Sequence, residues 1–371
     1  MKITFPHMGN TYIAAKTLLD ELKINYIIPP FNNKKALEIG TRYAPEQACL
    51  PLKINIGNYI QAYENGADTV LIAGGSGPCR FGYYCELERE ILNDAGYNMD
   101  FLVLELPSGK VFEFIRRIKK TTNTLNPYKI TKALRCATYT SIFVDRLEKT
   151  VFKMSAREIE KGRVRSIYKK FLNRALTTKG YKNMKELIKN TEKEIMKVEI
   201  DKELNPIKVG IVGEIYTTID CFPNFEINSR LASMGVEVDR EVTISQWIIE
   251  HMLKKLFHIK RDTRFKEAAK PYIKEMIGGH AQETIGNTVL YAKNNFDGVI
   301  QIYPLSCMPE IVANSIIHVV EKDYDIPVLT LIVDEMTGEA GLVTRIEAFV
   351  DLLHKRRERK NYNERAVIPR N

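Results

Sequence analysis

The sequence predicts an α/β protein in which two domains, each built on a parallel sheet, are joined by a helical region. The chain has 371 residues, a length at which two or three domains are expected. Its residues are 44% hydrophobic and 27% charged, which supplies enough apolar material for a packed core and excludes general disorder. Strand and helix patterns alternate in both halves, whereas a long segment between them is helical throughout.

The first half of the chain alternates between apolar strands and amphipathic helices. Strands are predicted at residues 1–5, 25–28, 69–73 and 101–106, and helices at residues 11–22, 52–65 and 86–95. Apolar strands separated by helices are typical of a parallel sheet that is covered on both faces.

The middle segment, residues 128–205, contains no proline and only two glycines, Gly162 and Gly180. Apolar residues recur in it at helical spacing, which predicts a mostly helical connector. It carries 20 Lys and Arg against 10 Asp and Glu, and it therefore accounts for the net charge of +9 of the whole chain. Such a basic face is either a solvated helical surface or a docking surface for an acidic protein or a phosphate-bearing ligand.

The second half repeats the pattern of the first. Strands are predicted at residues 208–213, 236–238, 298–303 and 327–333, and helices at residues 226–234, 283–294, 309–320 and 344–353. Both halves are predicted to be flavodoxin-like or Rossmann-like, and ligands bind such sheets beyond the carboxyl ends of the strands.

These patterns divide the chain into four segments. An N-terminal α/β domain is predicted at residues 1–125, a basic helical connector at 126–206 and a C-terminal α/β domain at 207–355. Residues 356–371 are predicted to form a basic, solvated tail.

The chain shows neither a signal peptide at its start nor an apolar stretch long enough for a membrane span, and we expect a cytoplasmic protein. Its six cysteines are then thiols, metal ligands or redox centres, because disulfides are rare in a reducing compartment. No C-x-x-C pair occurs, so the zinc-ribbon and thioredoxin patterns are absent.

Three cysteines lie in loops where α/β sheets carry their chemistry. Cys79 follows the strand at 69–73, and Cys307 follows the strand at 298–303. Cys49 lies in a proline-bounded loop before a helix. Thiolates at such scattered positions suit an iron–sulfur cluster better than zinc, whereas unrelated structural thiols are the more common explanation of such spacing.

The residues around Cys79 fit a bound group. Gly74, Gly75 and Gly77 would let the backbone approach a cluster or its ligand closely, and Arg80 would offset the negative charge of thiolates. The other three cysteines are interpreted as small buried side chains. They are Cys85, Cys136 and Cys221.

Nucleotide motifs are missing from the sequence. The stretch GGSGPC is not G-x-G-x-x-G, because the last required glycine is absent, and no G-x-x-x-x-G-K-[ST] occurs. The chain therefore shows no signature of a dinucleotide site and has no P-loop for ATP hydrolysis.

Several long motifs resemble the 2-hydroxyacyl-CoA dehydratase superfamily, especially its activase-related, cluster-carrying members. They are PEQACLPLKINIGNYI (45–60), AGGSGPCRFGYYCELEREIL (73–92), GGHAQETIGNTVLYA (278–292), YPLSCMPEIVA (303–313) and DEMTGEAGLVTRIEAFVDLL (334–353). The motifs span both α/β halves, whereas the helical connector carries little of the resemblance.

The resemblance implies an oxygen-sensitive iron–sulfur protein whose cluster ligands are Cys49, Cys79 and Cys307. A 4Fe-4S cluster is favoured over a double cubane, which needs more thiolates. The family implies a separate activase that hydrolyses ATP and delivers a low-potential electron. True dehydratases of the family form a ketyl radical from a 2-hydroxyacyl-CoA and eliminate water, whereas double-cubane relatives reduce small molecules.

These observations predict an iron–sulfur redox component that acts on a small molecule or an acyl-CoA in a cleft between the two halves. Its expected partners are the activase and a related second subunit or a second copy of the chain. Two alternatives stay open. The chain could be a non-catalytic electron-relay or scaffold subunit. It could instead bind nucleic acid through the basic face, although the scarcity of aromatic residues there disfavours this.

Overall fold

The computed structural model describes residues 1–74, 79–104, 126–249 and 263–366. Within them the protein is a mixed α/β structure with two separate sheets, and all the strand pairs in both sheets are parallel. This much of the predicted fold class is confirmed.

The first sheet has the strand order β1-β2-β3, and the second has the order β5-β4-β6-β7. The strands are β1 (Ile3–Thr4), β2 (Thr69–Ala73), β3 (Asp100–Leu104), β4 (Lys208–Gly213), β5 (Glu237–Arg240), β6 (Gly298–Pro304) and β7 (Val328–Val333). The four strands of the second sheet lie within three residues of their predicted bounds, because apolar runs with clear ends specify them.

The strand predicted at residues 25–28 does not form. Tyr26 makes only a single parallel bridge to Ile3, on the edge of β1. Pro29 and Pro30 follow directly, and neither has a backbone N–H to continue a ladder. The segment still extends the edge of the first sheet, next to β1.

Helices cover both sheets. In the described part of the first half they are α1 (Thr11–Glu21), α2 (Lys34–Tyr43), α3 (Leu50–Glu64) and α4 (Tyr84–Asp94). The middle segment forms α5 (Pro127–Arg157), α6 (Arg163–Thr177) and α7 (Tyr181–Ile195). The second half adds α8 (Ile215–Ile219), α9 (Ile227–Ser233), α10 (Ile244–Ile248), α11 (Arg264–Ala269), α12 (Ala281–Lys293), α13 (Met308–Tyr324) and α14 (Glu339–Ala366).

The helical middle segment packs against both halves of the protein. Val144 of α5 and Phe171 of α6 share a core with Tyr12 of α1 and Leu71 of β2. On its other side α5 contacts β5, α9 and α10. The predicted helical region is therefore buttressed by both sheets and is not a free linker.

Helix α2 has no counterpart among the predicted helices, yet it packs backbone to backbone along α3. A Cβ atom on Gly40 would fall on the carbonyl oxygen of Lys53, and one on Gly57 would fall on that of Ala36. Glycine is required at both positions for this approach. The contact fixes α3, and therefore the position of Cys49 at its start.

The last helix is longer than predicted. Residues 356–366, expected to be part of a solvated tail, continue α14 to Ala366. Arg357 explains why: its guanidinium pairs with Asp297 and donates to the carbonyl oxygens of Asn205 and Pro206. The basic side chains therefore tie the helix to the second sheet.

None of the helices in the described ranges combines the length and the apolar character that crossing a bilayer requires.

Candidate functional site

Each of the three predicted cysteines lies immediately before a helix. Cys49 precedes α3, and Cys307 precedes α13, and each of these helices has a proline in its first two positions. Cys79 precedes a 3-10 turn at Arg80–Tyr83, which leads directly into α4. Helix N-termini carry partial positive charge, so this arrangement favours anionic sulfur at all three positions.

The structure brings the three thiols into one electrostatic group. Burial is the largest influence on each thiol and raises its pKa, to about 12 for Cys49. Cys79 adds to this effect on Cys49, and Cys49 in turn raises the pKa of Cys307. Cys49 and Cys307 are separated by 258 positions in sequence, yet they lie close enough for the charge of Cys49 to influence the pKa of Cys307.

A backbone amide points towards each sulfur. The amides belong to Leu52 for Cys49, Phe81 for Cys79 and Glu310 for Cys307, and each lowers the pKa of its thiol against the larger opposing effect of burial. None of these contacts has the geometry of a full capping hydrogen bond. They act in the direction that stabilises a thiolate.

Arg80 joins the three cysteine loops. It follows Cys79 in sequence, and its Nη1 donates to the carbonyl oxygen of Gln47, two residues before Cys49, at 3.0 Å. Its Nη2 donates to the carbonyl oxygen of Ser306, directly before Cys307. The guanidinium charge also lowers the pKa of both Cys49 and Cys79, although burial raises each more strongly.

A second contact bridges the two halves near Cys49. The ammonium group of Lys53, whose side chain is only 2% exposed, pairs with Glu335 in the loop after β7. It also donates to the carbonyl oxygen of Glu46 at 2.9 Å. The loop that carries Cys49 is thus attached to the second half by an ion pair between a buried Lys53 and a half-buried Glu335.

Glu214, at the carboxyl end of β4, acts on all three cysteines, and its negative charge adds to burial in raising their pKa. Its carboxylate accepts hydrogen bonds from the amides of Tyr216 and Thr217, both at 2.9 Å, and so caps α8. Sequence analysis missed this residue. Its signal is its place directly after an apolar strand whose neighbour, β6, leads to Cys307.

Glu310 is a second buried carboxyl group near the cysteines. It lies on α13, three residues after Cys307, and is fully buried. Thr284 donates to its oxygens at 3.0 Å, and Gln301 donates at 3.1 Å. Burial raises the pKa of Glu310 to about 8, against the lowering effect of these hydrogen bonds.

The structure describes only one of the three glycines that the sequence predicts to approach a bound group. Gly74 directly follows β2, on the approach to Cys79. Gly75 and Gly77 lie outside the described residues. The hypothesis that these glycines admit a bound group therefore stays a prediction.

The three thiols are the donor type that the predicted cluster requires. Within the described ranges, no three His, Cys, Asp or Glu side chains lie close enough together to hold one metal ion. Thiolates from separate loops are the donors that a 4Fe-4S cluster takes, one for each bound iron.

The remaining cysteines lie elsewhere. Cys136 is buried on α5, Cys221 is exposed after α8, and Cys85 is half-buried on α4 in the core of the first half. The sulfur of Cys49 also contacts the hydroxyl group of Tyr84.

The basic face predicted from the sequence is present on α6 and α7. Its Lys and Arg side chains are exposed, and Arg165 forms an ion pair with Glu226. Two surface depressions of about 280 and 350 Å³ lie here and share Ile167 and Glu194 in their walls. Neither depression includes a cysteine.

Comparison with known proteins adds no identification. No protein-family model matches the chain, and a search of curated proteins finds no match.

Proposed function

We propose that this protein is an iron–sulfur redox component, and that Cys49, Cys79 and Cys307 hold a 4Fe-4S cluster in a cleft between its two halves. The observation that carries the proposal is that the three thiols lie at three helix starts and that Arg80, directly after Cys79, donates hydrogen bonds to the loops of the other two. Independent structural thiols have no reason to share these features.

The sheet topology supports the position of this cleft. In the second sheet, β4 lies between β5 and β6. The chain leads from β4 to β5 on one side and from β6 to β7 on the other, so the strand order reverses between β4 and β6. The first sheet shows the same order when the bridge from Tyr26 to Ile3 is included. Two flavodoxin-like halves would each bind ligands at this reversal point, and Glu214 and Cys307 follow β4 and β6 there.

The residues of this chain have distinct tasks in the proposed site. Helix N-termini and amides stabilise the thiolates, Arg80 offsets their charge and holds the loops together, and burial limits access by water. A cluster held by three thiolates supplies one-electron transfer and leaves one iron open to a small molecule or an acyl-CoA.

The proposed electron source is a separate protein. The chain lacks a P-loop, so an ATP-hydrolysing activase of the kind that the resemblance implies would supply the low-potential electron. A related second subunit or a second copy of the chain would complete the assembly. We place this system in the cytoplasm, where thiolate ligands stay reduced.

The deciding experiment measures iron and acid-labile sulfide on protein purified without oxygen. We expect about four iron atoms per chain from a single cubane. Cys49→Ser, Cys79→Ser and Cys307→Ser should each lose most of this iron, whereas Cys136→Ser, a buried cysteine on α5, should keep it. Equal iron content in all four variants, or no iron after reconstitution, would overturn the proposal.

If the cluster-loaded protein accepts electrons from its donor but turns over no substrate, the protein is a non-catalytic electron relay. About eight iron atoms per chain would instead indicate a double cubane.

A further inference from the structure

Tyr84 is a buried tyrosine whose hydroxyl group contacts the sulfur of Cys49. It begins α4, and its side chain is only 4% exposed. Among the residues that the structure describes, no other side chain forms a hydrogen bond with the sulfur of Cys49, Cys79 or Cys307. The hydroxyl group of Tyr84 therefore distinguishes Cys49 from the other two predicted ligands.

The core of the first half fixes the ring of Tyr84. Helix α4 packs on α3, and Tyr84 shares an apolar core with Leu52 and Ile56 of α3. The ring of Phe81, from the turn after Cys79, is tilted against it, with 5.7 Å between the ring centroids. A side chain that is packed on several sides has few other rotamers, so its hydroxyl group stays directed towards the sulfur.

The short segment from Arg80 to Tyr84 contacts the loop of Cys49 at both of its ends. Arg80 donates to the carbonyl oxygen of Gln47 at 3.0 Å, and Tyr84 contacts the sulfur itself. The 3-10 turn at Arg80–Tyr83 sets the spacing of these two side chains. The two contacts differ in kind, because the guanidinium group binds backbone, whereas the hydroxyl group reaches the atom that would bind iron.

The direction of this hydrogen bond follows from the state of the sulfur. A cysteine binds iron as a thiolate, which has lone pairs but no proton. The hydroxyl group of a tyrosine can donate or accept, so Tyr84 is the donor once Cys49 is a ligand. A hydrogen bond to a charged acceptor is roughly twice as strong as one between neutral groups, and the contact is therefore strengthened when iron is bound.

We propose that Tyr84 is a positioning residue of the cluster site, and that its hydroxyl group donates to the thiolate of Cys49 and so raises the reduction potential of the cluster. This inference rests on the proposed function. Reduction adds negative charge that the sulfur ligands share, so a donor to one sulfur stabilises the reduced state more than the oxidised state. Tyr84 keeps its proton in both states, and no co-reactant is needed.

The first test does not need a cluster. The infrared S–H stretching bands of the reduced apoprotein report the hydrogen bonding of its thiols, and Cys49→Ser identifies the band of Cys49. This band should shift in Tyr84→Phe, which removes only the hydroxyl group. Tyr83→Phe is the matched control, because Tyr83 is the preceding residue but is 59% exposed, and it should leave the band unchanged. A Cys49 band at the same position in wild-type protein and Tyr84→Phe would overturn the proposal.

The second test measures the reduction potential of cluster-loaded protein by spectroscopic redox titration. Tyr84→Phe should keep its iron, and at a fixed solution potential its ratio of reduced to oxidised cluster should fall about threefold or more, because a hydrogen bond to a charged group is lost. Tyr83→Phe should match the wild-type protein. A purely structural role of Tyr84 would change stability or iron content and leave the potential as it is. An unchanged or more positive potential in Tyr84→Phe would overturn the proposal.

A fluorinated tyrosine at position 84 decides the question if Tyr84→Phe does not fold. Fluorine on the ring makes the phenol a stronger hydrogen-bond donor of nearly the same shape, so the potential should become more positive and the Cys49 band should shift. No change in either would overturn the proposal. Absence of iron in the wild-type protein would instead overturn the proposed function, and the S–H band would still decide whether Tyr84 is hydrogen-bonded to Cys49.

Discussion

The guanidinium group of Arg80 donates a hydrogen bond to the backbone carbonyl of Ser306, the residue before Cys307. Arg80 belongs to the first half of the chain, and Ser306 belongs to the second. The same side chain also donates to the carbonyl of Gln47, so one residue connects all three cysteine loops. Its planar fork of donors suits two acceptors that lie in different directions.

Arg80→Met should therefore loosen the site while leaving the fold intact. We expect iron to be lost to a chelator several-fold faster than from the wild-type protein, because the three loops are no longer joined. Arg80 is exposed, so the free energy of unfolding should change by less than about 1 kcal/mol. Arg89→Met is the control, since Arg89 is in the same stretch of chain but pairs with Glu86 and lies over the ring of Phe101. Equal rates of iron loss from both variants would contradict this role.

Removing only Glu335 from its ion pair with Lys53 should destabilise the protein more than removing both partners. Glu335→Gln leaves the buried ammonium of Lys53 without its counter-ion, and we expect a loss of about 3 kcal/mol in the free energy of unfolding. The double variant with Lys53→Met should regain much of this loss, because it buries no charge. Urea unfolding of the two single variants and the double variant measures the coupling. Additive losses would show that the pair does not act as a unit.

Several strands and helices could be predicted from the sequence, because short local patterns specify where they begin and end. The strand at Lys208–Gly213 is confirmed to the residue, since an apolar run there ends in a glycine. The positions of Cys49, Cys79 and Cys307 at helix starts were also predictable, because each lies in a loop beside a predicted strand or helix.

Other features depend on contacts that the sequence does not display. The sequence pattern gives no sign that α2 packs on α3, because the helix buries only Ala36 and Gly40. The influence of Glu214 depends on the pairing of β4 with β6, and the partner of Lys53 lies 282 residues away. Such relationships appear only when the register and the packing of the two halves are known.

Glu88 should make the stability of the protein decrease as the pH rises. Burial raises the folded-state pKa to about 8, whereas an unfolded Glu titrates near its ordinary value of about 4.3. The contribution is fully present below pH 4.3 and is lost as the pH rises towards 8, by up to about 1.4 kcal/mol per pH unit. Glu88→Gln should remove this slope from the curve of unfolding free energy against pH, and Glu86→Gln should not. Parallel curves for wild-type protein and Glu88→Gln would show that Glu88 has an ordinary pKa.

Replacing Gly57, which lies on α3 at its close contact with α2, should destabilise the protein. In Gly57→Ala the new methyl group would fall on the carbonyl oxygen of Ala36, and the backbones of α2 and α3 would have to separate. We expect a loss of at least about 2 kcal/mol in the free energy of unfolding, because overpacking here moves backbone. Gly341→Ala is the matched control, since Gly341 is helical, has no atom within 4 Å of an added Cβ and should gain about 0.5 kcal/mol. Thermal unfolding of both variants, with iron content measured alongside, tests whether the α2–α3 contact also holds Cys49 in place. If Gly57→Ala matched Gly341→Ala in stability and iron, the close packing of the two helices would have no such role.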